Sequence, residues 1–242
     1  MRQLMREIEK HTDELSNYGF TTFSEIYSSM EIEQILEAIN RADKTKETFR
    51  RSTDLFAIRQ FLKEIPETSE LIFNKNLKTI IHQLFGQDYF VVKSIYFDKP
   101  EESNWYVAYH QDLTISVDKK IEINGFGPWT VKQNQFSVQP PIDILENNFT
   151  VRIHLDETTN ENGALKVVVG SHLKKIYRPE TIDWTREREA VCEVPKGGVM
   201  FMKPLLLHSS SRTTNNKIRR VIHIEFANQE SPKGLQWAER QN

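Results

Sequence analysis

His110 and Asp112 are separated by a single residue in the segment "WYVAYHQDLTISV". Both side chains can bind a metal ion, and the apolar, aromatic and β-branched residues around them favour a β-strand. On a strand, positions i and i+2 face the same side about 6–7 Å apart, so an imidazole and a carboxylate could reach one ion. Because such pairs also occur on ordinary strands, a metal site here requires a third ligand.

His208 is the candidate for that third ligand among the seven histidines of the chain. It follows "GGVMFMKPLLL", whose glycines and apolar run predict a strand that leads to a cavity mouth. Two histidines and one carboxylate on one face of an octahedron form the ligand set of non-haem Fe(II) oxygenases. The three open positions would accept a bidentate cosubstrate and dioxygen side by side.

A cation for an acidic cosubstrate is available at Arg219, eleven residues after His208, where the predicted strand "RRVIHIEF" begins. A planar guanidinium pairs bidentately with a carboxylate, which suits the far carboxylate of 2-oxoglutarate. Arg220 competes for this role, and since neighbouring strand positions face opposite ways, only one of the two can face inward. Ser210 shares the face of His208 if the strand continues that far, and could donate to the same carboxylate.

The segment "TVRIHLD" alternates polar and apolar residues. Thr150, Arg152 and His154 would share one face of a strand with Asp156, while the apolar residues between them share the other. If helices cover the apolar face, the polar face lines a cavity; otherwise it belongs to an ordinary sheet with one face in water. In the cavity, Arg152 could hold an acidic group of the substrate or cosubstrate, and His154 would be a wall residue.

Two further residues carry weaker signals. Lys93 is a charged residue inside the apolar segment "FVVKSIYF", where it could reach the cosubstrate or face solvent. Trp129 belongs to a long insert, residues 118–149, whose aromatic residues argue against disorder. We interpret the insert as a lid; Trp129 could close over a substrate or pack within its own loop.

These residues need a scaffold, and the elements change character along the chain. The segments "SSMEIEQILEAINRAD" and "SELIFNKNLKTIIHQLFG" have the spacing of amphipathic helices, the second ending at Gly86. From residue 88 onward, seven or more short apolar segments separated by turn signals predict strands. This order predicts one domain over residues 1–242, mainly β, with a jelly-roll or β-sandwich core at 88–228 and helices from 1–87 packed outside.

Composition excludes several classes of protein. The 242 residues are 38% hydrophobic and 27% charged, with a net charge of −2, so a nucleic-acid partner is not expected. Cys192 is the only cysteine, which excludes an internal disulfide and a cysteine-based zinc site. The charged start "MRQLMREIEKHTDEL" lacks the apolar core of a signal peptide, and no apolar run is long enough to span a membrane. We therefore expect a cytoplasmic protein.

Together, "HQD", "TVRIHLDETTNENGALKVVVGSH", "LLLHSSS" and "RRVIHIEF" resemble the phytanoyl-CoA dioxygenase family over about residues 88–228. Those enzymes are Fe(II)- and 2-oxoglutarate-dependent oxygenases built on a cupin-like double-stranded β-helix. The resemblance implies that His110, Asp112 and His208 bind iron and that Arg219, at the family's spacing, binds 2-oxoglutarate. It also places a hydroxyl group, here Thr150, toward the cosubstrate.

The resemblance implies a reaction in which 2-oxoglutarate and dioxygen are consumed, succinate and CO₂ are released, and a small-molecule substrate is oxidised. Halogenating relatives replace the metal carboxylate with a small residue, so the presence of Asp112 favours hydroxylation. Two alternatives stay open. One is a cupin-like metal enzyme that does not use 2-oxoglutarate and would not need Arg219; the other is a non-catalytic binding module, which would have no reason to keep all three ligands.

Overall fold

The computed structural model describes residues 2–43, 45–51, 56–101, 105–132, 135–231 and 234–241. The α-helices among these residues are α1 Arg2–Asn17, α2 Ser29–Arg41, α3 Phe61–Glu64, α4 Ser69–Ile72, α5 Lys75–Phe85 and α6 Ile142–Asn147. The strands are β1 Phe20–Phe23, β2 Phe49–Arg51, β3 Phe56–Arg59, β4 Phe90–Lys99, β5 Val107–His110, β6 Ile115–Val117, β7 Trp129–Lys132, β8 Gln135–Val138, β9 Phe149–His154, β10 Leu165–Val168, β11 Glu189–Cys192, β12 Val199–Met202, β13 His208–Ser210 and β14 Arg219–Ala227.

Two antiparallel sheets form the core. The major sheet has the order β1-β12-β9-β14-β4-β3-β2, and the minor sheet has the order β11-β10-β13-β5. One cavity is lined by residues of both, for example Arg152 and His223 from the major sheet and His110 and His208 from the minor sheet. Two facing sheets that enclose a central cavity are the jelly-roll, cupin-like architecture that the sequence predicted.

The outer face of the major sheet packs against the helices. Val151 and Ile153 of β9 are fully buried in one apolar cluster with Ile32 and Ile35 of α2. Arg152 lies between them in sequence and faces the cavity. The alternation in "TVRIHLD" therefore separates a helix-covered face from a cavity face, as predicted. Asp156 departs from this pattern, because β9 ends at His154.

The two predicted helical segments are confirmed, one of them with a break. Ser28 caps α2 in a reciprocal arrangement with Glu31, which fixes where that helix begins. The second segment divides into α4 and α5, because the side chain of Asn74 accepts a hydrogen bond from the Leu77 amide and starts a new helix. The α5 helix ends at Gly86, as predicted.

The insert at 118–149 is largely folded, although residues 133 and 134 lie outside the described part. Its strands β7 and β8 join β6 in a three-stranded sheet of order β6-β8-β7. Phe126, Trp129 and Phe136 pack against a buried cluster that contains Trp237 near the C-terminal end. The aromatic residues thus anchor the insert, in agreement with the expectation that it is not disordered. No helix in the described part of the chain has the length and apolarity needed to cross a membrane.

Candidate metal centre

His110, Asp112 and His208 lie together at the edge of the minor sheet. Their potential ligand atoms are all within 4.8 Å of one another. His110 and His208 are partners in the register of β5 and β13, and their ring centroids are 4.3 Å apart. The Nε2 atom of His208 is 3.9 Å from Oδ2 of Asp112. The sequence-predicted set therefore converges on one point.

The two imidazoles are held in the same way. Nδ1 of His110 lies 2.9 Å from the Ala108 carbonyl oxygen, and Nδ1 of His208 lies 2.9 Å from the Leu206 carbonyl oxygen. A carbonyl oxygen only accepts, so each Nδ1 donates its hydrogen and each Nε2 keeps a free lone pair. Such backbone contacts fix the orientation of metal-binding histidines.

Asp112 reaches the site by a different route from the one predicted. The segment that was expected to be one strand divides into β5 and β6, and Asp112 lies in the connection between them. The side chain of Gln111 donates to the Leu205 carbonyl at 2.5 Å, and the Asp112 amide donates to the Pro204 carbonyl at 2.9 Å. These bonds to the 204–205 turn, rather than strand alternation, place the carboxylate beside the histidines.

The protonation states suit metal binding. Burial would raise the pKa of Asp112, but His208, His223, Lys93 and His110 around it outweigh this effect and lower that pKa. Burial lowers the pKa of His208 to about 4, against the opposing effect of Asp112. At neutral pH the site therefore holds an ionised carboxylate and a neutral imidazole. Oδ2 of Asp112 is buried and has no hydrogen-bond partner among the described residues.

Arg219 lies in the same cavity as the three candidate ligands, and the cavity has a volume of 260 Å³. Its Nη2 donates to Ser210 Oγ at 3.3 Å, and Ser210 Oγ in turn donates to the Gly163 carbonyl at 3.0 Å. The Nε atom of Arg219 is buried without a partner in the described structure. Arg219 faces inward, whereas Arg220 binds Asp156 on the other side of the strand.

Lys99 is a buried cation that the sequence reasoning missed. It lies opposite Arg219 in the register of β4 and β14, and its Nζ donates to the Ser211 carbonyl at 2.6 Å. Burial and the nearby Arg219 lower the pKa of Lys99 to about 8. Lys93 and Lys99 are an even number of positions apart on β4, so they share the face that points to the barrel interior. This spacing could have identified Lys99 from the sequence.

A chain of polar contacts runs beneath the candidate metal centre. Nη1 of Arg152 donates to His223 Nδ1 at 3.2 Å, and His223 Nε2 donates to Glu225 Oε1 at 3.1 Å. Lys93 donates to the same Glu225 oxygen at 2.6 Å. Lys93 thus binds a carboxylate of the protein. Glu225 was also missed, although it shares the inward face of "RRVIHIEF" with Arg219.

Asp112, His223 and Glu225 form a second group whose potential ligand atoms lie within 4.8 Å. Both ring nitrogens of His223 are already engaged, one accepting from Arg152 and one donating to Glu225. This leaves His223 no lone pair for a metal ion, so the group of His110, Asp112 and His208 is the better metal site.

Three other sequence candidates do not line the 260 Å³ cavity. Thr150 is buried on the inward face of β9, with its Oγ1 unpartnered among the described residues. His154 Nδ1 bonds Thr158 Oγ1 at 2.7 Å, and burial lowers its pKa well below the usual range. Trp129 packs against an apolar cluster that contains residues of the core, such as Phe90 and Trp237, as well as of the insert.

Comparisons with known proteins agree with this architecture. A family model described as phytanoyl-CoA dioxygenase matches residues 15–221, which extends the resemblance into the N-terminal helices. No curated protein sequence shows a significant match to the chain.

Solved structures with a similar fold include three enzymes. The non-haem α-ketoglutarate-dependent epimerase SnoN from nogalamycin biosynthesis has a TM-score of 0.68 and 15% identity, covering 92% of this chain and 83% of its own. The carbocyclase SnoK from the same biosynthesis has a TM-score of 0.68 and 16% identity, covering 96% and 86%. EctD from S. alaskensis, solved with 2-oxoglutarate and 5-hydroxyectoine, has a TM-score of 0.69 and 17% identity, covering 90% and 75%. At these identities the likeness concerns the fold.

Proposed function

The chain belongs to the phytanoyl-CoA dioxygenase family of Fe(II)- and 2-oxoglutarate-dependent oxygenases, and we propose that it hydroxylates a C–H bond of a small molecule. One observation carries this proposal: two imidazole Nε2 atoms and an unpartnered carboxylate oxygen converge in a cavity that also contains a buried arginine. Location in the cytoplasm stays a prediction of the sequence.

The donor set fits Fe(II). His110, Asp112 and His208 would hold the ion through two neutral imidazoles and one ionised carboxylate, which leaves three positions open. Bound Fe(II) together with 2-oxoglutarate supplies the activation of dioxygen and the oxidation of the substrate, with succinate and CO₂ as products. The backbone carbonyls of Ala108 and Leu206 keep both imidazoles in the metal-binding tautomer.

Arg219 and Ser210 would bind the distal carboxylate of 2-oxoglutarate. The guanidinium is buried, its Nε has no partner in the described structure, and the Ser210 hydroxyl lies beside it. A buried cation without a carboxylate is costly, and a carboxylate ligand would offset that cost. Thr150 and Lys93 were also predicted to contact the cosubstrate. The ion pair with Glu225 supports a positioning role for Lys93 instead, while a contact from Thr150 stays a prediction.

Arg152 and His154 retain different roles in this proposal. Arg152 lines the 260 Å³ cavity that contains the three candidate ligands, called the metal-centred cavity below. Its Nε atom has no partner among the described residues, which supports contact with a ligand carboxylate. His154 does not line that cavity, and its hydrogen bond to Thr158 supports a wall role. The buried arginines also disfavour a cupin-like enzyme without an acidic cosubstrate, which would have no use for them.

The test is anaerobic addition of Fe(II) and 2-oxoglutarate to the purified protein, monitored by the weak visible charge-transfer band of a metal-chelated 2-oxo acid. We expect a band in the wild type that Asp112→Ala and Arg219→Ala abolish at moderate 2-oxoglutarate concentration. Arg220→Ala is the matched control and should keep the band, because Arg220 faces away from the cavity. Bound iron without a band would favour the cupin-like enzyme, and no iron binding would favour a binding module.

A further inference from the structure

Lys99 lies at the end of a row of β4 side chains that face the barrel interior. Ile95 and Phe97 in this row line the metal-centred cavity. Lys99 is the next inward residue, because alternate residues of a strand share a face. Its Cα partner on β14 is Arg219. Lys99 does not itself line the cavity and is only 1% exposed, so it lies just behind the wall, next to the proposed site for the distal carboxylate of 2-oxoglutarate.

Gly163 leaves the space that the Lys99 ammonium occupies. Its φ is +87°, and a Cβ atom there would lie 2.8 Å from Lys99 Nζ, 2.5 Å from the Ser211 carbonyl oxygen and 3.5 Å from Ser210 Oγ. Lys99 Nζ and Ser210 Oγ therefore lie close to the same point. Lys99 Nζ donates to the Ser211 carbonyl at 2.6 Å, and Arg219 Nη2 donates to Ser210 Oγ at 3.3 Å. Two cations thus hold two consecutive serines at this end of the cavity.

Neither cation forms an ion pair with a carboxylate in the part of the chain that the structure describes. The acceptor of Lys99 is a neutral carbonyl and that of Arg219 is a hydroxyl, while Arg219 Nε is unpartnered among the described residues. Burial and the nearby Arg219 lower the pKa of Lys99 to about 8, and burial and Arg152 lower the pKa of Arg219 to about 9. The charged forms are therefore destabilised, and a bound carboxylate would offset that cost.

Resting on the oxygenase function proposed above, we propose that Lys99 is a second positioning cation for the distal carboxylate of 2-oxoglutarate. Arg219 and Ser210 would contact the carboxylate, and Lys99 would act from behind them in two ways. Its charge attracts the carboxylate, and its bond to the Ser211 carbonyl fixes the backbone that carries Ser210. Lys99 thereby strengthens the preference for a 2-oxo acid that ends in a carboxylate.

The alternative is that Lys99 only joins β4 to the segment after β13. A hydrogen bond to one carbonyl oxygen needs no charge, and a neutral donor would make it without the cost of burying a cation beside Arg219. A purely structural lysine would also affect all ligands of the cavity equally. An anion that binds next to both cations explains why the charge is kept.

The experiment compares 2-oxoglutarate with 2-oxopentanoate, which has the same carbon skeleton but ends in a methyl group. Dissociation constants are measured from the visible charge-transfer band on anaerobic protein loaded with Fe(II). Both ligands would chelate the metal through the same 2-oxo acid group, so the ratio of their dissociation constants reports on the distal carboxylate alone. We expect Lys99→Met to reduce the preference for 2-oxoglutarate about tenfold, as the loss of a charge interaction implies, with 2-oxopentanoate unchanged.

Two further variants keep the test valid if Lys99→Met fails to fold. Lys99→Gln removes the charge but keeps a hydrogen-bond donor, and should reduce the preference to a similar extent. Arg219→Gln leaves Lys99 in place, so a residual preference for 2-oxoglutarate should persist. Lys217→Met is the matched control, because Lys217 precedes the same strand as Arg219 but its side chain is 62% exposed. It should keep the wild-type preference.

The Tm of the ligand-free protein separates the two roles of Lys99. We expect Lys99→Met to keep or raise this Tm, because it removes a buried charge and its repulsion from Arg219. A lower Tm with equal weakening of both ligands would assign a structural role and overturn the proposal. An unchanged preference in both Lys99 variants, or no residual preference in Arg219→Gln, would overturn it as well.

The band in the wild type reports separately on the oxygenase function. A wild-type band with an unchanged preference in the Lys99 variants contradicts only the role of Lys99. Absence of the band in the wild type contradicts the proposed function itself.

Discussion

Gln111, the middle residue of "HQD", points away from the candidate metal centre, but its hydrogen bonds fix the backbone that carries Asp112. Its side-chain amide donates to the Leu205 and Lys175 carbonyls at 2.5 and 2.8 Å, and its oxygen accepts from the Tyr177 amide at 2.9 Å. Three contacts from one side chain therefore tie the connection between β5 and β6 to two other segments. The position of Asp112 depends on this anchor.

We expect Gln111→Ala to weaken metal binding about 10- to 100-fold, the usual cost of losing a group that orients a ligand. Isothermal titration with Mn(II) under anaerobic conditions measures the effect. His82→Ala is the control, because His82 is exposed on α5 and should not change metal affinity. Unchanged affinity in Gln111→Ala would mean that the Gln111 side chain does not position Asp112.

Residue patterns predicted some parts of the site better than others. Alternation in "TVRIHLD" and "RRVIHIEF" predicted the inward faces of β9 and β14, because strand geometry is local and periodic. The same reasoning placed Asp112 on a strand, which is wrong. A hydrogen-bonded turn distant in sequence places it instead, and no local period encodes that contact. Lys99 and Glu225 were within reach of the alternation rule but were not singled out.

At the scale of elements, the C-terminal segment packs against the core and helps to line a 570 Å³ cavity through Ala238 and Glu239. It makes isolated bridges from Gln241 to Val91 and from Trp237 to Val117, and Glu239 accepts from both the amide and the hydroxyl of Ser94. Ser94 Oγ also accepts from the Leu62 amide at 2.9 Å, which links this segment to α3. Glu239 is therefore a buried carboxyl at the meeting point of three elements.

Glu239 should make stability depend on pH. Burial raises its folded pKa to about 7, whereas an unfolded glutamate titrates near 4.3. The folded state thus binds the proton more tightly, so this contribution is present below pH of about 4.3 and is lost as pH rises through about 7. We expect Glu239→Gln to gain about 2–4 kcal/mol relative to the wild type between pH 5 and 8.

Urea unfolding at pH 5 and pH 8 measures that difference. Glu230→Gln is the control for the loss of a glutamate charge, since Glu230 is exposed and pairs with Arg240 at the surface. A Glu239→Gln curve parallel to that of the wild type would contradict a raised pKa.

A second prediction at this scale concerns Trp129, in the small sheet that the insert forms with β6. Trp129 is half-buried against an apolar cluster that joins the insert to the core, and it does not line the metal-centred cavity. We expect Trp129→Ala to lower the free energy of unfolding by about 1–3 kcal/mol through lost packing, with little change in KM for 2-oxoglutarate. Paired unfolding and succinate-release measurements test this. A large KM change with unchanged stability would favour the lid role.

At the scale of the whole molecule, the barrel interior concentrates positive charge. Lys99, Arg152 and Arg219 are buried inside it, and Asp112 and Glu225 supply carboxylates to the same interior. A divalent cation and a dianionic cosubstrate would together complete this arrangement without changing its net charge. Both ligands should therefore stabilise the fold, since each binds the native state at a site that the unfolded chain lacks.

We expect Fe(II), or Mn(II) as a redox-stable substitute, together with 2-oxoglutarate at about 100 times the dissociation constant, to stabilise the protein by about 2.7 kcal/mol. For a chain of this size the corresponding rise in Tm is roughly 5–10 °C. Scanning fluorimetry measures the rise, and EDTA should reverse it. Asp112→Ala should lose the metal-dependent part, and a full shift in that variant would place the ion elsewhere.

The strand β5 lies at the edge of the minor sheet and pairs only with β13 within the described sheet order. It contributes His110, while its neighbour contributes His208, so one bound ion would join the outermost strand to the next one across the sheet. Without that cross-link, four residues and a few backbone bonds hold the edge, and its amides should exchange with deuterium faster than those of β9 or β14. Metal binding should therefore slow this exchange, because the ion would complete the attachment of the edge strand to the rest of the sheet.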